Sequence, residues 1–117
     1  MFSATCGTKL DHGVLVVGYG AVGQGLAAYA RAAGSVVEIV DITATRRLAA
    51  HYDGFPTPEL EDALSRVEIA VTATGEPNAI PLSALKKAGR ELVLVNAGHG
   101  GDEIDVVAVL VGEDLIL

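Results

Sequence analysis

The feature that most restricts this chain is Val16-Val17-Gly18-Tyr19-Gly20-Ala21-Val22-Gly23, a Gly-x-Gly-x-x-Gly spacing directly behind an aliphatic run. The run, Val14 to Val17, is short, unbroken and apolar, as suits a parallel strand covered on both faces. Behind it, Ala21 to Ala33 sets Val22, Leu26, Tyr29, Ala30 and Ala33 at helical spacing, contains no proline and runs into Gly34, a natural stop. Glycines gathered where a buried strand hands over to a helix point to a tight turn whose backbone something else must approach. In such a turn Gly18 permits the bend, Gly20 keeps a Cβ out of the path of a pyrophosphate, and Gly23 lets the helix lie close to the strand. The unpaired N–H groups at the helix start then face the phosphates. The alternative is that the three glycines only pack a helix against a sheet.

The remaining chain alternates in the same manner. Val36 to Val40 reads as a second strand, Thr45 to His51 as a second helix, and the neighbourhood of Gly54-Phe55 as a weak third strand. Thr57-Pro58-Glu59 offers an N-cap, a first-turn proline and a first-turn acid for a helix through Leu64. Val67 to Thr72 and Glu91 to Val95 read as further strands, separated by a helix around Leu82 to Lys87 that ends at Gly89. This order predicts an α/β fold, a Rossmann-type doubly wound parallel sheet of about five strands with helices on both faces. Residues 1–12 have no clear period and read as a lead-in or linker; residues 13–117 form a single dinucleotide-binding domain without internal repeats.

Composition narrows the partners. With 117 residues, half of them apolar, the chain can bury one core and no more. A formal charge of -7 argues against nucleic acid and against an anionic membrane. The longest apolar runs fall short of the roughly 20 residues that a membrane helix requires. Cys6 stands alone, so no internal disulfide forms, and no charged leader followed by a long apolar stretch opens the sequence. A cytoplasmic setting is expected. No metal site is assigned.

An acid is expected about 20 residues past the glycines, at the end of the second strand. Asp41 stands there. Its carboxylate suits the two hydroxyls of an adenosine ribose and repels a 2′-phosphate, which favours NAD over NADP; the alternative is a plain strand-end turn residue. Arg46 and Arg47, a few residues on, either accept a 2′-phosphate or form the solvated face of the second helix.

Two later stretches, "TATG" at 72–75 and "NAGHGGDEIDV" at 96–106, put small, hydroxyl and polar residues at the carboxyl ends of two strands, where ligands bind in open α/β sheets. Together with "GYGAVGQG" and Asp41, they resemble the NAD-binding domain of S-adenosyl-L-homocysteine hydrolase, in register from about Gly13 to Val106. The glycine motif is common to many dehydrogenases; the Asn-x-Gly-His segment followed by Glu-Ile-Asp is far more particular. The resemblance implies NAD as cofactor. It implies that Gly20, Ala21 and Val22 line the pyrophosphate, in a cofactor-binding turn that includes Gly18 and Gly23, and that Asp41 meets the adenosine ribose. It further implies that Thr72, Ala73, Thr74 and Gly75 follow the cofactor beyond, and that Ala97, Gly98 and His99 lie near the nicotinamide.

In that family NAD oxidises the 3′-hydroxyl of a nucleoside, the ketone acidifies the 4′-hydrogen, the thiol is eliminated, water adds, and the hydride returns. His99 is the one candidate catalytic residue; the alternative is a loop histidine held by the turn of Gly98, Gly100 and Gly101. His12 and His51 read as surface residues. The family's substrate-binding domain is absent, as is everything expected beyond the fifth strand, and Glu76 and Pro77 depart from the family pattern. The implied partners are therefore NAD, a substrate-binding domain or chain, and further copies in a homo-oligomer. A reading of a different class, a non-catalytic dinucleotide-binding sensor or interaction module, stays open beside the hydrolase.

Overall fold

In the computed structural model, which describes residues 13–74, 79–81, 83–85, 92–97 and 106–111, the side chains of the first strand alternate between two separate cores. This strand, β1 (Gly13–Val17), is followed by α1 (Ala21–Ala32), β2 (Val36–Val40), α2 (Ala44–Tyr52) and α3 (Leu60–Leu64). Then come β3 (Ile69–Thr72), β4 (Leu92–Ala97) and β5 (Val106–Val111). The sheet order is β2-β1-β3-β4-β5; the first four strands are parallel, and β5 runs antiparallel to β4.

Val14 and Val16 pack with Ala27 of α1, Ala50 of α2 and Phe55, while Leu15 and Val17 pack with Ala63 and Leu64 of α3 and with Ala84 and Leu85. An interior strand of a doubly wound sheet must be apolar on both faces, which explains why β1 reads as a continuous run rather than an alternating one. Leu15, Val16 and Ile39 are fully buried, each contributing about 1.5–3 kcal/mol of transfer free energy. Glu38 is the exception on β2. It is buried on the α3 face and paired with Arg66 at 2.7 Å, so an ion pair covers that part of the edge strand.

The Rossmann-type reading is correct in class, and several details differ. The weak strand expected near Gly54-Phe55 is not a strand. Phe55 is buried beneath the edge and the Pro56 carbonyl accepts one hydrogen bond from the Ile39 N–H at 2.9 Å. Pro56 and Pro58 have no N–H to donate, so no ladder can grow there. Four of the expected strands are present as β1 to β4, and β5 occupies an apolar stretch where no strand was expected.

The helix expected from Thr57 begins only at Leu60, with Glu59 extended at its N-cap position and no side-chain cap. Thr57 precedes a proline, which disfavours the helical backbone at that residue. On α1 the buried residues are Gly23 and Ala27, whereas Val22 and Tyr29 of the expected apolar stripe are exposed. The helix lies so close to the sheet that its smallest side chains make the contact. Gly34 ends it as expected: with φ +99° it allows the Ser35 N–H to reach the Ala30 carbonyl at 3.0 Å. Residues 83–85 are helical within the helix expected around Leu82 to Lys87; Leu82, residues 86–89 and the lead-in 1–12 lie outside the described residues.

Candidate functional site

The three motif glycines do different physical work. Gly18 has φ +106°, and a Cβ there would stand 2.7 Å from Thr74 Cγ2 and 3.1 Å from the Ala73 carbonyl, so both its backbone and its surroundings require glycine. A Cβ on Gly23 would overlap the Gly18 carbonyl oxygen outright; glycine is needed there for α1 to approach the turn. Gly20 is different. Its φ is -86°, and a Cβ would meet nothing nearer than Arg46 Nη1 at 3.7 Å. The fold itself makes no demand for glycine at this position, and what remains is open space over the start of α1.

The turn is held from below by Asp41. Its Oδ2 accepts the Tyr19 N–H at 2.7 Å and its Oδ1 accepts the Thr43 N–H at 2.8 Å, so one buried carboxylate ties the glycine turn to the start of α2. The Gly18 N–H donates to the Val40 carbonyl at 2.8 Å. Each carboxylate oxygen retains a second acceptor position.

Tyr19, the variable residue inside the Gly-x-Gly, is 2% exposed. Its hydroxyl donates to Asp53 Oδ2 at 2.5 Å and its ring meets Phe55 edge-on at a centroid distance of 6.0 Å. Arg31 lies 4.1 Å over the Phe55 ring and donates to the Asp53 carbonyl at 2.6 Å. Burial, and then the Asp53 carboxylate beside it, pushes the Tyr19 phenol up to about 12. Sequence reasoning passed over this anchor. The available signal was a large aromatic residue in a motif otherwise built of small ones.

The other expected site residues reach the same edge of the sheet. Val40, Val17, Thr72 and Asn96 lie at or next to the carboxyl ends of four adjacent parallel strands, through the pairs Val17 with Val40, Val17 with Thr72 and Thr72 with Asn96. The Thr72 hydroxyl donates to Asn96 Oδ1 at 2.9 Å, and the Ala73 N–H donates to the Val17 carbonyl at 2.8 Å, which brings Ala73 and Thr74 against Gly18. Ala97 is buried at the end of β4. Ala21 and Val22 form the first turn of α1. Gly75, Gly98 and His99 lie outside the described residues, as do His12 and Cys6; His51 is exposed on α2.

A cleft of about 870 Å³ opens beside Asp41. Ile42, Pro58, Leu60 and Ala79 give it apolar walls, and Thr43, Glu59, Thr74, Arg46 and Arg47 give it polar ones. The two arginines part company. Arg47 donates to the Asp41 carbonyl at 2.8 Å, whereas the Arg46 guanidinium lies over Gly20. Among the described residues no group of three or more His, Cys, Asp or Glu side chains is placed to hold a metal, and no helix is long and apolar enough to cross a membrane.

Residues 7–114 match the family model of the S-adenosyl-L-homocysteine hydrolase NAD-binding domain. The chain belongs to this family. An adenosylhomocysteinase from Aeropyrum pernix is 38% identical to it over 96 residues, which are 82% of this chain and 23% of that protein. The chain thus spans under a quarter of the length of this curated relative. Among solved structures, the pyruvate reductase of Chlamydomonas reinhardtii superposes with a TM-score of 0.66 at 25% identity, over 84% of this chain and 30% of that one. A D-lactate dehydrogenase from Sporolactobacillus superposes with a TM-score of 0.63 at 22% identity, over 76% of this chain and 27% of that one. Both likenesses show the fold. As an S-adenosyl-L-homocysteine hydrolase NAD-binding domain, the chain takes NAD, and its residues fit that cofactor: an open glycine at the start of α1, a buried carboxylate at the end of β2, and a half-apolar cleft beside it.

Proposed function

We propose that this chain is the cofactor-holding part of an enzyme that hydrolyses S-adenosyl-L-homocysteine, and that most of the catalytic side chains sit on a substrate-binding domain or chain that works with it. The cytoplasm and a homo-oligomer are the setting this reading carries. Bound NAD supplies a hydride acceptor for the reversible oxidation of a nucleoside 3′-hydroxyl. The chain's own residues bind and orient it. Gly20, Ala21 and Val22 receive the pyrophosphate in the turn that Gly18 and Gly23 make possible, Asp41 receives the adenosine ribose, and Ile42, Pro58 and Leu60 wall the adenine. Thr72, Ala73, Thr74 and Gly75 follow the cofactor along the strand ends; Ala97, Gly98 and His99 belong to its nicotinamide end, with His99 the candidate for handling a proton.

The observation that carries the reading is the contrast among the glycines. Two are needed by the fold, and the third, Gly20, has a use only when a ligand approaches the backbone. Asp41 at the ribose position favours NAD over NADP. Oxidising a secondary alcohol also needs a base at the hydroxyl and a pocket that presents the sugar, with reacting atoms at roughly 3 to 3.5 Å. One histidine cannot provide both.

The test is a pair of measurements on the chain alone: calorimetric titration with NAD and NADP, and a turnover assay with NAD and S-adenosyl-L-homocysteine followed for free thiol and nicotinamide absorbance. NAD binding tighter than NADP binding, with no turnover, is expected. Tighter NADP binding removes the role given to Asp41, and robust turnover shows that the catalytic groups lie on this chain.

A further inference from the structure

Tyr19 is the one large residue in the turn from Gly18 to Gly20, and its N–H, carbonyl and hydroxyl are all bonded. The N–H donates to Asp41 Oδ2 at 2.7 Å, the carbonyl accepts the Gln24 side chain at 3.3 Å, and the hydroxyl donates to Asp53 Oδ2 at 2.5 Å. The two carboxylates bracket α2. Asp41 lies just before the helix and also accepts the Thr43 N–H at 2.8 Å, whereas Asp53 is the C-cap. One residue thus ties both ends of α2 to the glycine turn. The far end is built to receive it. Gly54, at φ +93°, turns the chain so that the Phe55 N–H reaches the Ala50 carbonyl at 3.0 Å, and Phe55 then meets the Tyr19 ring. The Arg31 side chain holds the Asp53 carbonyl at 2.6 Å. Local helix energetics do not explain Asp53, because a carboxylate at a helix C-terminus stands against the dipole. Its partner is a phenol 34 residues earlier. With 2% of its surface exposed, Tyr19 offers a ligand no side-chain contact and acts on the turn through its backbone.

We infer that Tyr19 is a positioning residue for the dinucleotide: its hydroxyl bond to Asp53 locks the glycine turn to α2 and so sets how tightly the turn receives the pyrophosphate. The inference rests on the NAD-binding reading and deepens it. A turn already fixed in the shape that the phosphates require loses little freedom when they bind, and that saving appears as affinity. With the hydroxyl removed, the Asp41 bond still holds the Tyr19 backbone, but the turn can rock about that single point. The ribose end of the site keeps Asp41 in place through Thr43, so the effect falls on the phosphates.

The experiment is calorimetric titration with NAD of the parent chain, Tyr19→Phe, Asp53→Ala, Asp53→Asn and the double variant Tyr19→Phe/Asp53→Ala, beside thermal melts of each. Adenosine, which carries no phosphate, is titrated against the same set by NMR. Tyr19→Phe and Asp53→Ala should each weaken NAD by about fivefold, the size of effect that a residue without ligand contact exerts through its neighbours. The double variant should lose no more than either single one, because both remove the same bond. Asp53→Asn should bind NAD nearly as the parent does, since its amide oxygen accepts the same hydroxyl. Adenosine affinity should be the same throughout. Unchanged NAD affinity in a folded Tyr19→Phe overturns the inference, and so do losses that add in the double variant. An equal loss for adenosine also overturns it, because the substitution then disturbs the whole site and not the turn. If Tyr19→Phe does not fold, Asp53→Ala, which leaves the ring contact with Phe55 intact, decides the question by the same comparison. Failure of the parent chain to bind NAD overturns the functional reading itself, and is visible before any substitution is made.

Discussion

Replacing Gly23 and Gly20 by alanine, one at a time, separates the glycine that the fold requires from the glycine that the ligand requires. At Gly23 the new Cβ falls on the Gly18 carbonyl oxygen. That carbonyl cannot retreat easily, because the Gly18 N–H is bonded to Val40 and the next residue is held by Asp41 and Asp53. The helix must move instead, loosening the packing of Ala27, which is fully buried one turn on. Overpacking of this kind costs about 1–3 kcal/mol, and a blocked retreat puts Gly23→Ala at the upper end. About 1 kcal/mol returns from the better helix propensity of alanine. The net loss of about 2 kcal/mol lowers the melting temperature by roughly 10 °C in a domain of this size. At Gly20 the Cβ meets only ordinary contacts, so Gly20→Ala loses under about 1 kcal/mol as an N-cap change, while NAD affinity falls by more than about tenfold because the methyl group stands in the phosphate's path. Thermal melts followed by circular dichroism, together with NAD titration of both variants, provide the readout. A Gly23→Ala chain that melts with the parent, or a Gly20→Ala chain that retains parental affinity, refutes this division of roles.

Tyr19 supplies a prediction at high pH. Its phenol ionises at about 12 in the fold and at 10.0 when unperturbed, so between these values the folded chain retains a proton that the unfolded chain gives up. The contribution is complete below pH about 10 and is lost as the pH rises toward 12. In Tyr19→Phe this part of the slope should vanish when unfolding free energy is followed across that window; parallel curves for the two proteins would sink the idea. Asp41→Asn should lose about 1–3 kcal/mol in denaturant unfolding, because an amide offers only one acceptor oxygen to the two N–H groups that the carboxylate serves. The same variant should bind NAD and NADP more nearly alike, and a preserved preference in calorimetry would show that Asp41 acts on the turn alone.

What the sequence determined by itself were the most strongly marked local units. The continuous run Val14 to Val17, the glycine spacing behind it and the stop at Gly34 specify a strand, a tight turn and a helix, because side-chain period and backbone freedom are properties of neighbours in the chain. Alternation of such units limits the topology to right-handed crossovers, so the parallel order of β1 to β4 and the gathering of Val17, Val40, Thr72 and Asn96 at one sheet edge were within reach of the sequence. The glycine motif, Asp41, the segment 72–75 and the segment 96–106 together made the family legible, and the family model matches residues 7–114. Only the tertiary structure decided which partners meet across the crossovers. Asp41 reaches back 22 residues to the Tyr19 N–H, and Tyr19 reaches forward 34 residues to Asp53; neither separation follows a local period. The same holds for the edge at Phe55, where burial without a ladder depends on what lies beneath, and for β5, whose register is set by β4. It holds most of all for Arg46 and Arg47. Adjacent in sequence and alike in chemistry, they point about 100° apart on a helix, and that rotation sends one to a carbonyl and the other over Gly20.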